Sequence, residues 1–79
     1  MKLQSVKKIL MAAQMNQQHG LIKYSTNCVD FDFTGVIQDT DECDIVAFDN
    51  EAEVVEVLGK ARNAYIECEA IECIEVFRQ

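Results

Sequence analysis

Apolar and polar positions alternate with two different periods along this chain, and the changes of period mark its elements. Val6, Ile9, Leu10 and Ala13 recur at helical spacing, so Ser5–His19 is predicted to be a helix. Ser5 is its expected cap and Gly20 its expected stop. Met11 and Met15 flank the stripe and are expected to widen its core face. From Leu21 the period drops. Leu21–Thr26 reads as a strand and Asn27 as a turn residue. Cys28-Val29-Asp30-Phe31-Asp32-Phe33 then alternates strictly, with Val29, Phe31 and Phe33 on one face and Asp30 and Asp32 on the other. That is the pattern of a half-buried strand with one wet face. Thr34-Gly35 is expected to bend it, and Val36-Ile37 to continue it.

Gln38–Glu42 is polar and reads as a hairpin loop, and Cys43–Phe48 as the next strand. Apolar residues on both faces of Cys43–Phe48 predict a central position in the sheet. Asp49-Asn50-Glu51 looks like a helix start, with Asp49 or Asn50 as cap. Val54, Leu58, Ala61, Tyr65 and Cys68 succeed it at spacings of four and three, so a second helix is predicted there. Gly59 lies off that stripe and would let the helix pack closely on the sheet. Ile66, Ala70, Ile74 and Phe77 also fit a helix, but Ile74–Phe77 is rich in strand-forming types, so Ile71–Phe77 reads better as a terminal strand that completes the sheet. The predicted fold class is α+β, in the order α-β-β-β-α-β. About four strands form an antiparallel sheet, the first three as a meander, with both helices on one face.

With 79 residues, no internal repeat and no break in composition, residues 1–79 are read as one small domain. No apolar run approaches the length of a membrane span, and the apolar stretch Ile9–Ala13 is too short for a secretory signal. The expected location is therefore the cytoplasm, with Cys28, Cys43, Cys68 and Cys73 as reduced thiols. Charge is divided unevenly. Residues 1–29 hold Lys2, Lys7, Lys8 and Lys23 and no acid, a balance of +4. Residues 30–79 hold all 14 acids against Lys60, Arg62 and Arg78, a balance of −11. Such a chain repels bare nucleic acid and attracts basic surfaces.

Catalytic chemistry finds no signature here. There is no glycine-rich phosphate loop and no nucleophile elbow around Ser5 or Ser25. His19 is the single histidine, at a predicted helix end and without a placed nucleophile. No catalytic residue, metal or cofactor is assigned, and the chain is read as not an enzyme. The cysteines are spaced too widely for a zinc framework. Cys68 and Cys73 come nearest and carry the metal-binding alternative, whereas buried small hydrophobes are the plainer role for all four. The run Asp39–Asp44 fails as a calcium loop, since the sixth and twelfth positions are Asp44 and Asn50.

The acids themselves are the remaining candidates. Asp30, Asp32, Asp39, Asp41, Glu42 and Asp44 are expected to cluster along one hairpin and its wet face, and are assigned to partner binding. Carboxylates on a rigid surface imitate phosphates and compete for the lysines and arginines that would neutralise them. In size and charge alone, the chain is similar to the broad class of small acidic proteins of phages and mobile elements. That class includes anti-CRISPR and anti-restriction inhibitors, many of which occupy basic nucleic-acid-binding surfaces. The expected partner is a protein with a basic surface; the charge balance argues against direct nucleic-acid binding and the short apolar runs against a membrane, and the chain is expected to be a monomer or homodimer. A homo-oligomeric structural or regulatory module, pairing through an exposed edge strand at Leu21–Thr26, is the second reading.

Overall fold

The computed structural model describes residues 1–35, 43–60 and 62–78. The expected continuation Val36-Ile37, the loop Gln38–Glu42 and the stripe residue Ala61 lie outside them. The fold is α+β. Among the described residues, one helix, α1 (Leu3–Met15), precedes six strands: β1 (His19–Tyr24), β2 (Asn27–Asp32), β3 (Ile45–Asp49), β4 (Val54–Leu58), β5 (Asn63–Glu67) and β6 (Ile71–Phe77). A short 3₁₀ turn, Cys68–Ala70, joins β5 to β6. The strands form two antiparallel three-stranded sheets. Sheet A has the order β2-β1-β6 and sheet B the order β3-β4-β5.

Helix α1 buries Val6, Leu10 and Ala13 of the predicted stripe and adds Leu3, while Ile9 is only partly buried. Its ends differ from expectation. The N-cap is Lys2, with no side-chain cap, and Ser5 lies within the first turn. The backbone N of Met1 instead donates to the carbonyls of Cys68 (2.8 Å) and Ile71 (3.0 Å), tying the helix start to the 3₁₀ turn. At the other end the stop comes before Gly20. Gln17 takes a φ of 52°. Its N–H donates to Gln14 O and that of Gln18 to Ala13 O, which is a Schellman closure with glutamine in glycine's place. Gly20 belongs to β1. A side chain there would run into the backbone carbonyl of Glu75 and come within 2.8 Å of the Phe31 ring. Its smallness lets β1 sit tightly between its neighbours. Met11 and Met15 are exposed and do not widen the core face.

The described residues form no second helix, and β4 and β5 stand where it was predicted. Its start signal is nevertheless used. Asp49 Oδ1 accepts the N–H groups of Glu51 and Ala52, each at 3.0 Å, as a helix cap would. Glu53 then takes a φ of 54° and turns the chain back into a hairpin. Capped helix starts and Asx turns share this chemistry, so the sequence signal is degenerate. The residues after Glu53 decide between them. Val54-Val55-Glu56-Val57 is dominated by β-branched residues, which suit a strand better than a helix.

Sheet membership also corrects the expected meander. β1 and β2 form the predicted hairpin, with Ser25 at φ 51° in its turn. β3 leaves to start sheet B, where it is an edge strand and not a central one. β6 has the predicted bounds and returns to pair with β1. β1 is thus hydrogen-bonded on both sides, which removes Leu21–Thr26 as an exposed edge for self-pairing. One core joins the helix and both sheets. It contains Ile22, Val29, Phe31, Phe33 and Ile71 from the sheet A side and Val55, Val57, Ile66 and Cys68 from the sheet B side. Phe31 and Phe33 stack at 4.8 Å.

Candidate partner-binding surfaces

Among the described residues, each sheet turns one face to this core and no element covers the other. Strand alternation and register fix what each outer face shows. On sheet A, the outer positions form three cross-strand rows: Cys28–Lys23–Cys73, Asp30–Leu21–Glu75 and Asp32–His19–Phe77. Asp30 and Asp32 are exposed, as the alternation requires. Cations stand among these acids. Lys23 Nζ pairs with Glu75 at 3.0 Å, and this contact raises the lysine above its usual range. The His19 ring packs on Phe77 with centroids 5.5 Å apart. His19 is therefore a strand residue and not a helix-end residue.

Asp32 is held below the ordinary carboxylate range, mainly by the Thr34 backbone N–H donating to Oδ1 at 3.0 Å, then by the Thr34 side chain. Its own backbone is bound across the edge of β2. Asp44 N–H donates to Asp32 O at 2.8 Å, and Asp32 N–H donates to Asp44 Oδ2 at 3.0 Å. The Asp44 carboxylate thus stands in for a strand carbonyl. Arg62 completes the arrangement, donating to the Asp30 carbonyl and lying 3.5 Å from Asp44 Oδ2. Together these groups cover the outer edge of β2 and join it to sheet B, a common protection for an edge strand. Gly59 leaves room for them, since a Cβ there would lie 2.5 Å from Asp44 Oδ1.

Of the assigned partner-binding acids, Asp30 and Asp32 are therefore exposed on one face. Asp44 sits beside them, but its side chain is only 14% exposed and is engaged in the fold. Asp39, Asp41 and Glu42 lie outside the described residues. Sequence reasoning missed the role of Arg62, because its link to Asp30 and Asp44 spans two sheets and leaves no local pattern.

Sheet B presents a different surface. Its outer rows are Ile45–Leu58–Asn63, Ala47–Glu56–Tyr65 and Asp49–Val54–Glu67. Five of these nine positions are apolar, three are acidic and none is basic. Ile45 is 49% exposed and Tyr65 66%. Val54, Leu58 and Tyr65 are members of the stripe that reads as helical in the sequence. A spacing of four returns a residue to the same face in a strand as well as in a helix. Val54, Leu58 and Tyr65 thus share the outer face across two strands, whereas Cys68 of the same predicted stripe is buried in the core with Val55 and Val57.

The remaining features show no converging chemistry. Two adjoining clefts, of about 520 and 570 Å³, lie at the start of α1. They share Lys2, Leu3 and Glu53, and Cys68 lines one of them. Burial pushes the Cys68 thiol upward, away from the thiolate a nucleophile needs. Cys73 lies on the outer face of sheet A while Cys68 is buried in the core, so the fold does not bring this pair together. Among the described residues no group of three or more His, Cys, Asp or Glu side chains is placed to hold a metal ion. Nor is any helix long and apolar enough to cross a membrane. No family model, curated protein or solved structure matches the chain.

Proposed function

We propose that this chain is an acidic protein-binding module that occupies a basic surface on a nucleic-acid-processing protein, acting as a stoichiometric inhibitor of the anti-CRISPR or anti-restriction kind. One observation carries the reading. Eight described carboxylates (Asp30, Asp32, Asp49, Glu51, Glu53, Glu67, Glu69 and Glu72) are exposed. The two ion pairs among the described residues engage other acids, Asp44 and Glu75. A field of unpaired carboxylates on a rigid scaffold competes with phosphate for lysine and arginine. Asp30 and Asp32, with Asp39, Asp41 and Glu42, form the first contact set.

The test is affinity capture of the tagged chain from a lysate of its host, at low and raised salt, with duplex DNA as competitor. A basic nucleic-acid-binding protein is expected, released as salt rises and displaced by DNA. Asp30→Lys and Asp32→Lys together should weaken capture and flatten its salt dependence. Recovery of partners indifferent to both salt and DNA sinks the reading.

A further inference from the structure

The outer face of sheet B carries two exposed apolar side chains, Ile45 and Tyr65, and its charge restricts what can cover it. Asp49, Glu56 and Glu67 stand among Ile45, Ala47, Val54, Leu58 and Tyr65 without a cation. A nucleic acid or an anionic membrane would be repelled. Two copies meeting face to face would bring six carboxylates together over a drying surface, which is strongly unfavourable.

A partner with cations set among apolar side chains satisfies both features. The central row narrows the choice of cation. Glu56 and Tyr65 are directly paired across strands, which places their Cβ atoms about 5 Å apart. An arginine entering there can stack its guanidinium on the exposed Tyr65 ring while its edge pairs with the Glu56 carboxylate. A lysine ammonium lacks the planar fork for this double contact.

We propose that the outer face of sheet B is the anchoring surface for the partner. It would take an arginine flanked by apolar side chains, with Glu56 and Tyr65 gripping the guanidinium and Ile45, Leu58 and Val54 covering the apolar neighbours. This inference rests on the proposed basic partner and adds where that partner seats. The row Ile45–Leu58–Asn63 lies at the end of sheet B that Arg62 and Asp44 join to Asp30 and Asp32. The acids near that end steer the approach and this face holds the partner.

The experiment is an amide NMR titration of the full chain with a short capped arginine–leucine peptide and its lysine–leucine and arginine–serine counterparts. The arginine–leucine peptide is expected to bind most tightly and to shift residues 45–49, 54–58 and 63–67. Tyr65→Ala should weaken it by about threefold. Glu56→Gln should weaken it by about twofold to fivefold. Met15→Ala, at an exposed apolar residue of α1, should leave it nearly unchanged. Tyr65 is exposed, so its variant is expected to fold, and the amide spectrum verifies this in the same experiment. Shifts spread evenly over the exposed acids, equal affinity for all three peptides, or self-association abolished by Tyr65→Lys would each overturn the assignment. Suppose Tyr65→Ala captures the DNA-displaced partner as well as the unaltered chain does. The anchoring face then falls and the proposed function stands. If the face takes the peptide but no DNA-displaced partner is captured, the proposed function falls and the face stands.

Discussion

Two sheets of equal strand number, built in one chain around one core, treat their outer faces in opposite ways. Sheet A carries acids together with their own cation. Lys23 pairs with Glu75 and a histidine stands in line with Asp32, while the β2 edge is covered by Asp44 and Arg62. Sheet B places three acids among five apolar residues, with no base. The difference lies in the order of the chain. All four lysines of the first 29 residues precede or enter sheet A, whereas sheet B falls within the acid-rich remainder. Sheet A neutralises Glu75 with its own Lys23 and leaves Asp30 and Asp32 exposed, while the outer rows of sheet B hold no cation. The buried residues differ as well, since β2 and the residue after it contribute Phe31 and Phe33, whereas sheet B contributes Val55, Val57 and Ile66.

That contrast can be broken most severely from within. Phe31→Ala removes a fully buried ring stacked on Phe33 and should destabilise the fold by about 3–5 kcal/mol. The whole core of so small a domain is expected to supply no more than about 3–5 kcal/mol net, so this variant should be largely unfolded by circular dichroism. Val57→Ala, its counterpart in sheet B, removes less volume and should lower stability by about 2 kcal/mol in urea unfolding. Equal losses would show that the two sheets share the core more evenly than their side chains suggest.

Gly20→Ala comes next. The added methyl meets the Glu75 carbonyl and the Phe31 ring, so a loss of about 1–3 kcal/mol is expected. Hydrogen exchange should quicken along β1 and β6 before it does in sheet B. Uniform acceleration would mean that the sheets open together. Asp44→Ala removes the acceptor of the Asp32 N–H and the partner of Arg62, and should reduce stability by about 1–2 kcal/mol. Its signature is loss of protection at the Asp32 amide. A protected Asp32 amide in that variant would show that Asp44 is not what covers the edge.

The smallest effects belong to the outer faces. Tyr65→Ala should change stability by no more than about 0.5 kcal/mol, because its ring is mostly exposed. Acid titration sharpens the comparison further. Asp32 has its pKa lowered by the fold, so its contribution is present above the ordinary carboxylate pKa and fades as pH falls through the lowered value. Asp32→Asn should therefore flatten the dependence of stability on pH below about 4. An unchanged slope would show that Thr34 does not favour the charged form.

The alternation in Cys28–Phe33, the burial of Val29, Phe31 and Phe33, the stripe of α1 and the bounds of β6 were all legible in the sequence. So was the exposure of Asp30 and Asp32, because local periodicity decides which side of a strand meets water. The second helix was misread because its signals were ambiguous in two ways. A spacing of four suits either element, and an aspartate receiving two N–H groups from the residues after it caps a helix or closes a turn equally well. The sequence by itself determined the class, the two faces of β2 and the division of charge, all of which depend on neighbours along the chain. Only the tertiary structure decided that the strands split into two sheets, that β1 is shielded on both edges and that Arg62 and Asp44 tie the sheets together. It alone also decided that Glu56 and Tyr65 meet on an open face. Those outcomes depend on contacts between distant segments, whose energies no local period records.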